Sequence, residues 1–217
     1  MTLENRRVPA LIGLLALTLA PIVFAQQGGA PGGGAGRGRG PQAPPLLLTV
    51  EGWADGTEVP LKYSCQASGT ADLTGKTSVS PAMQWKQVPP ATQSFLVLVH
   101  DPEPHPGRGV VDNTHWLIFN IPGTATGLPA GVPEGGTLPD GSHQVKRGNG
   151  PNGLANYIGP CAPPGPNHHY TYELWALDTK LDLGEDATRA DVMKAAEGHV
   201  LGAALWIGMF HRPAPPQ

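Results

Sequence analysis

Acidic, histidine and tyrosine side chains occupy the ends of three apolar segments of this 217-residue chain. The five that could form one site are Asp101, Glu103, His115, His168 and Tyr170. Short apolar runs bounded by prolines or glycines are typical of buried strands that end in loops. Because side chains alternate along a strand, His168 and Tyr170 share one face and His169 lies on the other. The pattern predicts a small polar pocket at the loop ends of three strands.

Six strands and one helix are predicted as the frame of this pocket. The helix begins after Thr188, since Thr188 and Asp191 match a capping box, and Gly198 suits the position that ends a helix. Glycine and proline turns separate the strands, and helical periodicity is otherwise scarce, which predicts a mainly β fold. The predicted strands cover residues 46–50, 83–87, 94–100, 115–121, 169–177 and 200–209.

The N-terminal part of the chain has the composition of a targeting segment followed by a linker. Arg6 and Arg7 precede an apolar run, which predicts a secretory signal peptide over residues 1–25 and a periplasmic or secreted protein. An uncleaved membrane anchor is the alternative, but the run is shorter than the roughly 20 apolar residues that a span needs. Residues 26–45 are rich in glycine and proline and predict a disordered tether. The folded domain is expected over residues 46–212, with no integral membrane span in the mature form.

The charge of the chain argues against nucleic acid as a partner. A formal charge of −3 gives no long-range attraction to nucleic acid or to an anionic membrane surface. Arg37 and Arg39 stand among glycines in the tether, but two arginines are too few for a strong phosphate footprint. We therefore expect no nucleic acid binding, and any bound anion must be held by local hydrogen-bond donors.

Six short motifs follow one another between about Leu46 and Phe210. They are Glu51–Pro60, Ser80–Trp85, the Asp101-Pro-Glu-Pro turn, His115-Trp116, Gly159-Pro160-Cys161 with Pro163-Pro164-Gly165, and Gly198-His199-Val-Leu. In this order they resemble the phosphatidylethanolamine-binding protein (PEBP) family, in its bacterial Raf-kinase-inhibitor-like (YbhB/YbcL) branch. The resemblance implies a PEBP-like fold: a large central antiparallel or mixed sheet flanked by a smaller sheet, with one or two short helices near the C-terminus.

The resemblance also implies a site for a phosphate, a phospholipid head group or a similar small anion. Carried over to this chain, the ligand-binding residues are Asp101, Glu103, His115, Gly159, Pro160, His168 and Tyr170. Glycine-loop N–H groups, an imidazolium and a phenol can donate to an anion without a basic surface. The two acids are expected to orient and charge His115 or His168, or to receive an amine. The chain departs from the family at Glu103, usually Asp, and at Asn113-Thr114, where an aromatic residue is usual, which leaves the ligand open.

A non-enzymatic binding protein is the function that these features predict, with a regulatory or inhibitory role toward an unidentified partner protein as a further expectation. The alternative is a metal-dependent phosphoester hydrolase built on the same Asp, Glu and His cluster, since Zn²⁺ and Mn²⁺ choose such ligands. A third possibility is an interaction protein that uses its surface and not the pocket. The sequence has no His-x-x-x-His, His-Glu-x-x-His or Gly-x-Ser-x-Gly motif and no Gly-Lys-Ser/Thr phosphate loop. We expect no catalytic residues, no metal and no cofactor.

Two cysteines, Cys65 and Cys161, are present. In an oxidising compartment an isolated pair most often forms a disulfide, and the resemblance implies that these two positions lie in neighbouring loops. A metal-binding or nucleophilic thiol is the alternative, but neither cysteine has a companion at ligand spacing. Between Cys65 and Ser80 the polar segment Gln66–Thr77 is longer than the usual link in the bacterial branch, and as a surface insertion it is assigned no chemistry.

Overall fold

The computed structural model describes residues 44–147 and 153–214. The predicted signal peptide, and all of the predicted tether before residue 44, lie outside these ranges and remain predictions. Within them the chain forms nine strands and one α-helix. In chain order these are β1 (Leu47–Val50), β2 (Thr57–Glu58), β3 (Met83–Lys86), β4 (Ser94–Asp101), β5 (Asn113–Pro122), β6 (Gly127–Leu128), β7 (His143–Gln144), β8 (His168–Leu177), α1 (Arg189–Ala196) and β9 (Val200–Phe210). In the part so described, no helix is long and apolar enough to cross a membrane.

The strands form two sheets of unequal size. The smaller sheet has the order β1-β3-β6, and the larger has the order β2-β9-β8-β4-β5-β7. Every pair in the larger sheet is antiparallel except β2 with β9, which is parallel, so the sheet is mixed. Turns of 3₁₀ helix occur at Leu61–Tyr63 and Pro106–Arg108. The predicted fold class, a mainly β chain with a large sheet beside a smaller one and a short helix near the C-terminus, is confirmed.

The six predicted strands all form, each within two residues of its predicted ends. β8 follows its alternating pattern, because Tyr170, Tyr172 and Leu174 are buried in the core between the sheets and the residues between them are partly exposed. β4 is buried along all eight of its residues. A second core covers its other face and includes Leu96, Leu98, Leu117, Phe119, Val192 and Ala196. The strand that ends at Asp101 is therefore an interior strand of the larger sheet that is covered on both faces.

Helix α1 begins and ends as its sequence predicts. The Thr188 hydroxyl accepts from the Asp191 backbone N–H, and the Asp191 carboxylate accepts from the Thr188 N–H, which is a complete capping box. Gly198 follows the helix with a φ of +82°, a conformation that glycine adopts without steric cost. The helix packs Val192 and Ala196 against the larger sheet.

A disulfide joins Cys65 to Cys161, whose Cα atoms lie 5.4 Å apart. The Cys65 backbone N–H also donates to the Pro160 carbonyl at 3.1 Å. These two links fasten the segment after the first 3₁₀ turn to the loop that precedes β8. They hold one wall of the region where β4, β5 and β8 end.

His100 is buried in a network of charged side chains on the other face of β4. Its Nδ1 lies 2.6 Å from Asp112 Oδ2, and its Nε2 lies 2.8 Å from Glu173 Oε1. Arg189, the first residue of α1, donates to the second oxygen of Asp112. Burial lowers the pKa of His100, but the hydrogen bonds to Glu173 and Asp112 outweigh burial and the net shift is upward. An imidazolium between two carboxylates thus ties β4 to β8 and α1.

Replacing His100 with glutamine is expected to lower the free energy of unfolding by about 2 kcal/mol at about pH 5.5, because hydrogen bonds to charged groups contribute about that much. Folding raises the pKa of His100, so its contribution is fully present below the unfolded value of about 6.5 and is lost as the pH rises through the folded-state pKa. Denaturant unfolding of the parent and of His100→Gln at about pH 5.5 and at about pH 8.5 measures the cost of the substitution at each pH. His105→Gln, at an exposed histidine, is the control, and an equal cost of His100→Gln at both pH values would contradict the prediction.

Candidate functional site

A cavity of about 330 Å³ opens where β4, β5 and β8 reach their loops. Four of the residues predicted for the site line it, namely Asp101, His115, His168 and Tyr170. Glu103, Gly159 and Pro160 are not part of its lining. Each of the four side chains comes from an end of a central strand, which is the placement that the apolar runs predict. We call this the small cavity.

Asp101 and His168 form a hydrogen-bonded pair in the wall of the small cavity. His168 Nδ1 lies 2.8 Å from Asp101 Oδ2, and the Asp101 side chain is only 3% exposed. The other Asp101 oxygen accepts from the Glu103 backbone N–H at 3.1 Å, so the Asp-Pro-Glu turn fixes the carboxylate. A carboxylate in this position orients the imidazole ring. Asp101 therefore fixes the orientation of His168.

Glu103 lies at the rim and contacts both neighbouring histidines. Its carboxylate is 3.4 Å from His168 Nδ1 and 3.0 Å from His169 Nδ1, and its side chain is 40% exposed. One possible ligand atom from each of Asp101, Glu103 and His168 lies within 4.8 Å of the others. Carboxylate oxygen and imidazole nitrogen at such separations could hold a divalent transition-metal ion. In this structure, however, His168 Nδ1 already pairs with the carboxylates of Asp101 and Glu103.

His115 is held as a neutral imidazole. Its Nδ1 donates to the Ile158 carbonyl at 3.0 Å, and its Nε2 lies 3.0 Å from the Asn113 amide nitrogen, from which it accepts. Burial lowers the pKa of His115 to about 4, so the ring carries no charge near pH 7. The prediction that an acid orients His115 or His168 therefore applies to His168, because Asp101 pairs with His168, whereas a carbonyl and an amide hold His115.

Tyr170 forms the floor of the small cavity next to His115. Its hydroxyl oxygen accepts from the backbone N–H groups of Cys161 at 3.0 Å and Ala162 at 2.8 Å. Burial raises the pKa of Tyr170, and the nearby Asp101 carboxylate raises it further. The phenol stays protonated, and its ring meets the His115 ring edge-on with centroids 5.0 Å apart. Tyr170 therefore offers one O–H donor in a fixed position.

The Gly159-Pro160 loop lies next to the small cavity and is held by hydrogen bonds to other parts of the chain. The Gly159 N–H donates to the Ser78 hydroxyl at 3.2 Å, and the Pro160 carbonyl accepts from Cys65. A Cβ on Gly159 would lie 2.1 Å from the Tyr63 carbonyl oxygen, so only glycine fits this close backbone contact. The Gly159 N–H and the Pro160 carbonyl thus bind protein atoms, and the carbonyl of Ile158, the preceding residue, orients His115.

Arg147 and Asn113 also line the small cavity, and the sequence did not single them out as ligand groups. Asn113 is the first residue of β5, two positions before His115, so strand alternation could have indicated it. Arg147 follows Lys146 directly and precedes a glycine-rich stretch. It reaches the cavity through tertiary contacts with Asn156 and Thr74, and no local pattern indicates them.

The Gln66–Thr77 insertion reaches the same cavity, although no functional role was predicted for it from the sequence. Leu73 lines the cavity, and the Thr74 carbonyl accepts from Arg147 Nη2 at 3.0 Å. The Asp72 carboxylate accepts from the backbone N–H groups of Thr74 and Thr77, both at 2.8 Å, which folds the loop. A hydrogen bond from the Thr74 hydroxyl at 2.6 Å, together with the one from the Thr77 N–H, holds the pKa of Asp72 well below its usual range. The insertion is therefore an ordered part of the rim.

A second cavity of about 810 Å³, which we call the large cavity, adjoins the small one. The two share Asn113, Thr114 and Arg147 in their linings. Charged side chains of the large cavity are mostly paired, since Lys146 Nζ lies 2.6 Å from Asp186 and Arg189 binds Asp112. No pattern in the sequence indicates this cavity.

Comparison with known proteins identifies the family. Residues 49–211 match the family model described as phosphatidylethanolamine-binding protein. A UPF0098 protein of Methanothermobacter thermautotrophicus is 40% identical over 167 residues, which are 77% of this chain and 99% of that protein. The UPF0098 protein YbcL of Escherichia coli is 42% identical over 106 residues, which are 48% of this chain and 55% of that protein.

A solved structure agrees with the sequence comparisons. The crystal structure of the PEBP homologue CT736 from Chlamydia trachomatis has a TM-score of 0.63 and 26% identity, and the match covers 78% of this chain and 99% of that one. The family model covers well over half of the chain, and it includes every residue of the small cavity. The chain belongs to the phosphatidylethanolamine-binding protein family.

Proposed function

We propose that this protein binds a phosphate-bearing or similar anionic head group in the small cavity and does not act on it chemically. The proposal is based on one observation: uncharged and cationic hydrogen-bond donors line the same cavity of about 330 Å³. Anions are held well by such donors in a confined space. The groups available are the Tyr170 hydroxyl, the Asn113 amide, the His168 imidazole and the Arg147 guanidinium.

A carboxylate in the same cavity extends the proposal to head groups that carry an amine. Asp101 is almost fully buried and pairs with His168, so it can orient that ring toward an anion or accept a hydrogen bond from a ligand ammonium. The proposal includes export, which rests on the signal peptide pattern of residues 1–25. It also includes a regulatory or inhibitory role toward a partner protein, for which family membership is the support.

A metal-dependent phosphoester hydrolase is the second candidate, because Asp101, Glu103 and His168 bring three possible ligand atoms within 4.8 Å of one another. Such a site would polarise a phosphoryl oxygen or lower the pKa of a bound water. We rank it second because the three groups already satisfy one another, with His168 Nδ1 between the two carboxylates, and because Glu103 is shared with His169.

The double variant His115→Ala/His168→Ala is expected to lose at least about tenfold in affinity for inorganic phosphate and phosphoethanolamine, since the loss of even one charge-assisted hydrogen bond costs about 1.5 kcal/mol or more. Isothermal titration of the parent and the variant measures the loss. His105→Ala is the matched control at an exposed histidine outside the cavity. Thermal unfolding checks that the double variant is folded, because His115 is buried.

Two results would count against the binding proposal. One is the absence of both heat and thermal shift for the parent protein with either ligand. The other is bound zinc or manganese in the purified protein together with hydrolysis of a phosphate monoester, which would favour the hydrolase. Unchanged affinity in a folded double variant would place the ligand elsewhere on the protein, as an interaction protein that uses its surface would.

A further inference from the structure

The Gln66–Thr77 insertion contains a turn that is organised around one carboxylate. Asp72 Oδ1 accepts from the Thr74 backbone N–H at 2.8 Å and from the Thr74 hydroxyl at 2.6 Å. Asp72 Oδ2 accepts from the N–H and the hydroxyl of Thr77 at 2.8 and 3.0 Å. The Asp72 N–H donates to the carbonyl of Cys65, the disulfide cysteine that precedes the insertion, at 2.8 Å. The shape of the turn therefore depends on Asp72.

This turn contacts the guanidinium of Arg147, which lines both cavities. Arg147 Nη2 donates to the Thr74 carbonyl at 3.0 Å and to the Asn156 side-chain oxygen at 2.7 Å, and its Nε donates to the Asn156 carbonyl at 3.0 Å. The Asn156 side-chain nitrogen donates to the same Thr74 carbonyl at 3.2 Å. One carbonyl of the insertion thus binds both the guanidinium and the residue that holds it.

Gly75, the next residue of the insertion, is buried directly against Arg147. A Cβ at this position would lie 3.1 Å from Arg147 Nη2, 3.0 Å from the Asn156 side-chain nitrogen and 2.7 Å from the Tyr157 carbonyl oxygen. Its φ is +80°, in the left-handed region that favours glycine. A larger residue could not bring the insertion this close to the guanidinium, so Gly75 supports the same contact separately from Asp72.

Asp72 also stabilises the charge of Arg147 without occupying its donors. Burial lowers the pKa of the Arg147 guanidinium, and the negative charge of Asp72 opposes that shift. The three guanidinium hydrogen bonds to described residues all end on uncharged oxygens. By contrast, Arg189, which also lines the large cavity, binds the carboxylate of Asp112. An acid held at a distance stabilises a cation and leaves its remaining donors for another partner.

We propose that the insertion is a positioning element of the binding site, in which Asp72 and Gly75 hold the Arg147 guanidinium in the part of the wall that the two cavities share. This inference rests on the proposed function. Asp72 shapes the turn, the turn presents the Thr74 carbonyl, and that carbonyl and Asn156 fix the plane of the guanidinium. A fork of donors that is fixed before binding loses little side-chain freedom when an anion binds. The insertion therefore strengthens binding through Arg147.

Titration calorimetry with inorganic phosphate and phosphoethanolamine tests the inference on the full chain. Asp72→Ala is expected to bind both ligands about threefold or more weakly, since about half the free energy of one charge-assisted hydrogen bond corresponds to that ratio. Asp72→Asn keeps an oxygen for the Thr74 donors and should lose less. Asp182→Ala, at an exposed acid that lines neither cavity, is the control and should bind like the parent.

Gly75→Ala tests the close contact with the guanidinium. Its matched control is Gly69→Ala in the same insertion, because Gly69 has a similar φ of +89° but a Cβ there would meet no heavy atom within 4 Å. Both substitutions strain the backbone alike, and only Gly75→Ala displaces Arg147. We expect Gly75→Ala to weaken binding of both ligands about threefold or more, and Gly69→Ala to leave it unchanged.

A positioning role differs from a general structural role in its dependence on Arg147. In an Arg147→Gln background, Asp72→Ala and Gly75→Ala should cause no further loss of affinity, because the group that they position is gone. Side-chain NMR gives a second readout without ligand. The Nε–Hε resonance of Arg147, which is hydrogen-bonded to Asn156 in the parent, should move toward the position of exposed arginines in both variants.

The outcomes separate this inference from the proposed function. A parent that binds either ligand, with unchanged affinity in folded Asp72→Ala and Gly75→Ala, overturns the inference and leaves the binding function standing. Losses of equal size with and without Arg147, or an unmoved Arg147 resonance, also overturn the positioning role. A parent that binds neither ligand overturns the proposed function, and the inference with it. Thermal unfolding shows that each variant is folded, and Asp72→Asn and Gly75→Ala replace Asp72→Ala if it is not.

Discussion

Gly159→Ala is expected to destabilise the protein by about 3 kcal/mol or more, at the upper end of the cost of overpacking a well-packed site. The added Cβ would lie 2.1 Å from the Tyr63 carbonyl oxygen and 2.5 Å from the Cα and carbonyl carbon of Ser64. All three are backbone atoms, so no side chain can rotate away. The backbone must move, and Ile158, whose carbonyl holds His115, is the adjacent residue. Denaturant unfolding measures the loss, and phosphate titration should show weaker binding as well.

Gly184→Ala is the matched control for this substitution. A Cβ at Gly184 would have no heavy atom within 4 Å, and its φ is not in the left-handed region. We expect a change in unfolding free energy within about 0.5 kcal/mol, as is usual for surface substitutions. If the two alanine variants had equal stability, the tight contact between the Gly159 loop and the Tyr63-Ser64 backbone would not exist in solution.

Removal of the disulfide is expected to lower the melting temperature by roughly 9–19 °C. Cys65 and Cys161 are separated by 96 positions, and a cross-link over a loop of that length stabilises by about 4.7 kcal/mol in the chain-entropy model. For a chain of this size, 1 kcal/mol corresponds to roughly 2–4 °C. Thermal unfolding of Cys65→Ser/Cys161→Ser beside the parent protein measures the shift.

A reducing agent provides the control for the disulfide. It should lower the melting temperature of the parent and leave that of the double serine variant unchanged. Titration of thiols in the unfolded parent, with and without reductant, shows that the bridge was present and then cleaved. A parent that melts at the same temperature after confirmed cleavage would contradict the predicted stabilisation.

The sequence predicted the strands that are long enough to carry a pattern. β4 and β5 are apolar runs and β8 alternates, and in each case burial follows the predicted face. The strands β2, β6 and β7 have two residues each and were not predicted, because two residues cannot show a period. Helix α1 was predicted from its cap more than from its apolar face, and Thr188 and Asp191 form that cap in the structure.

Only those parts of the candidate site that depend on the spacing of nearby residues could be predicted from the sequence. Strand alternation brought Asp101, His168 and Tyr170 together, but it did not indicate that His115 would bind a carbonyl and an amide. Arg147 depends on contacts with Thr74, which is 73 positions away in the chain. His100, one residue before Asp101, had no assigned role because its partners Asp112 and Glu173 come from separate elements.

The disulfide closes residues 65–161 into a covalent ring, and the ring divides the larger sheet into two halves. Strands β4, β5 and β7 lie inside the ring, and β8, β9 and β2 lie outside it, so the boundary runs between β4 and β8. The hydrogen bond from His168 to Asp101 crosses that boundary at the small cavity. The two halves can therefore pair edge to edge without any strand passing through the ring. A single break in the backbone of the ring would leave the whole chain covalently connected.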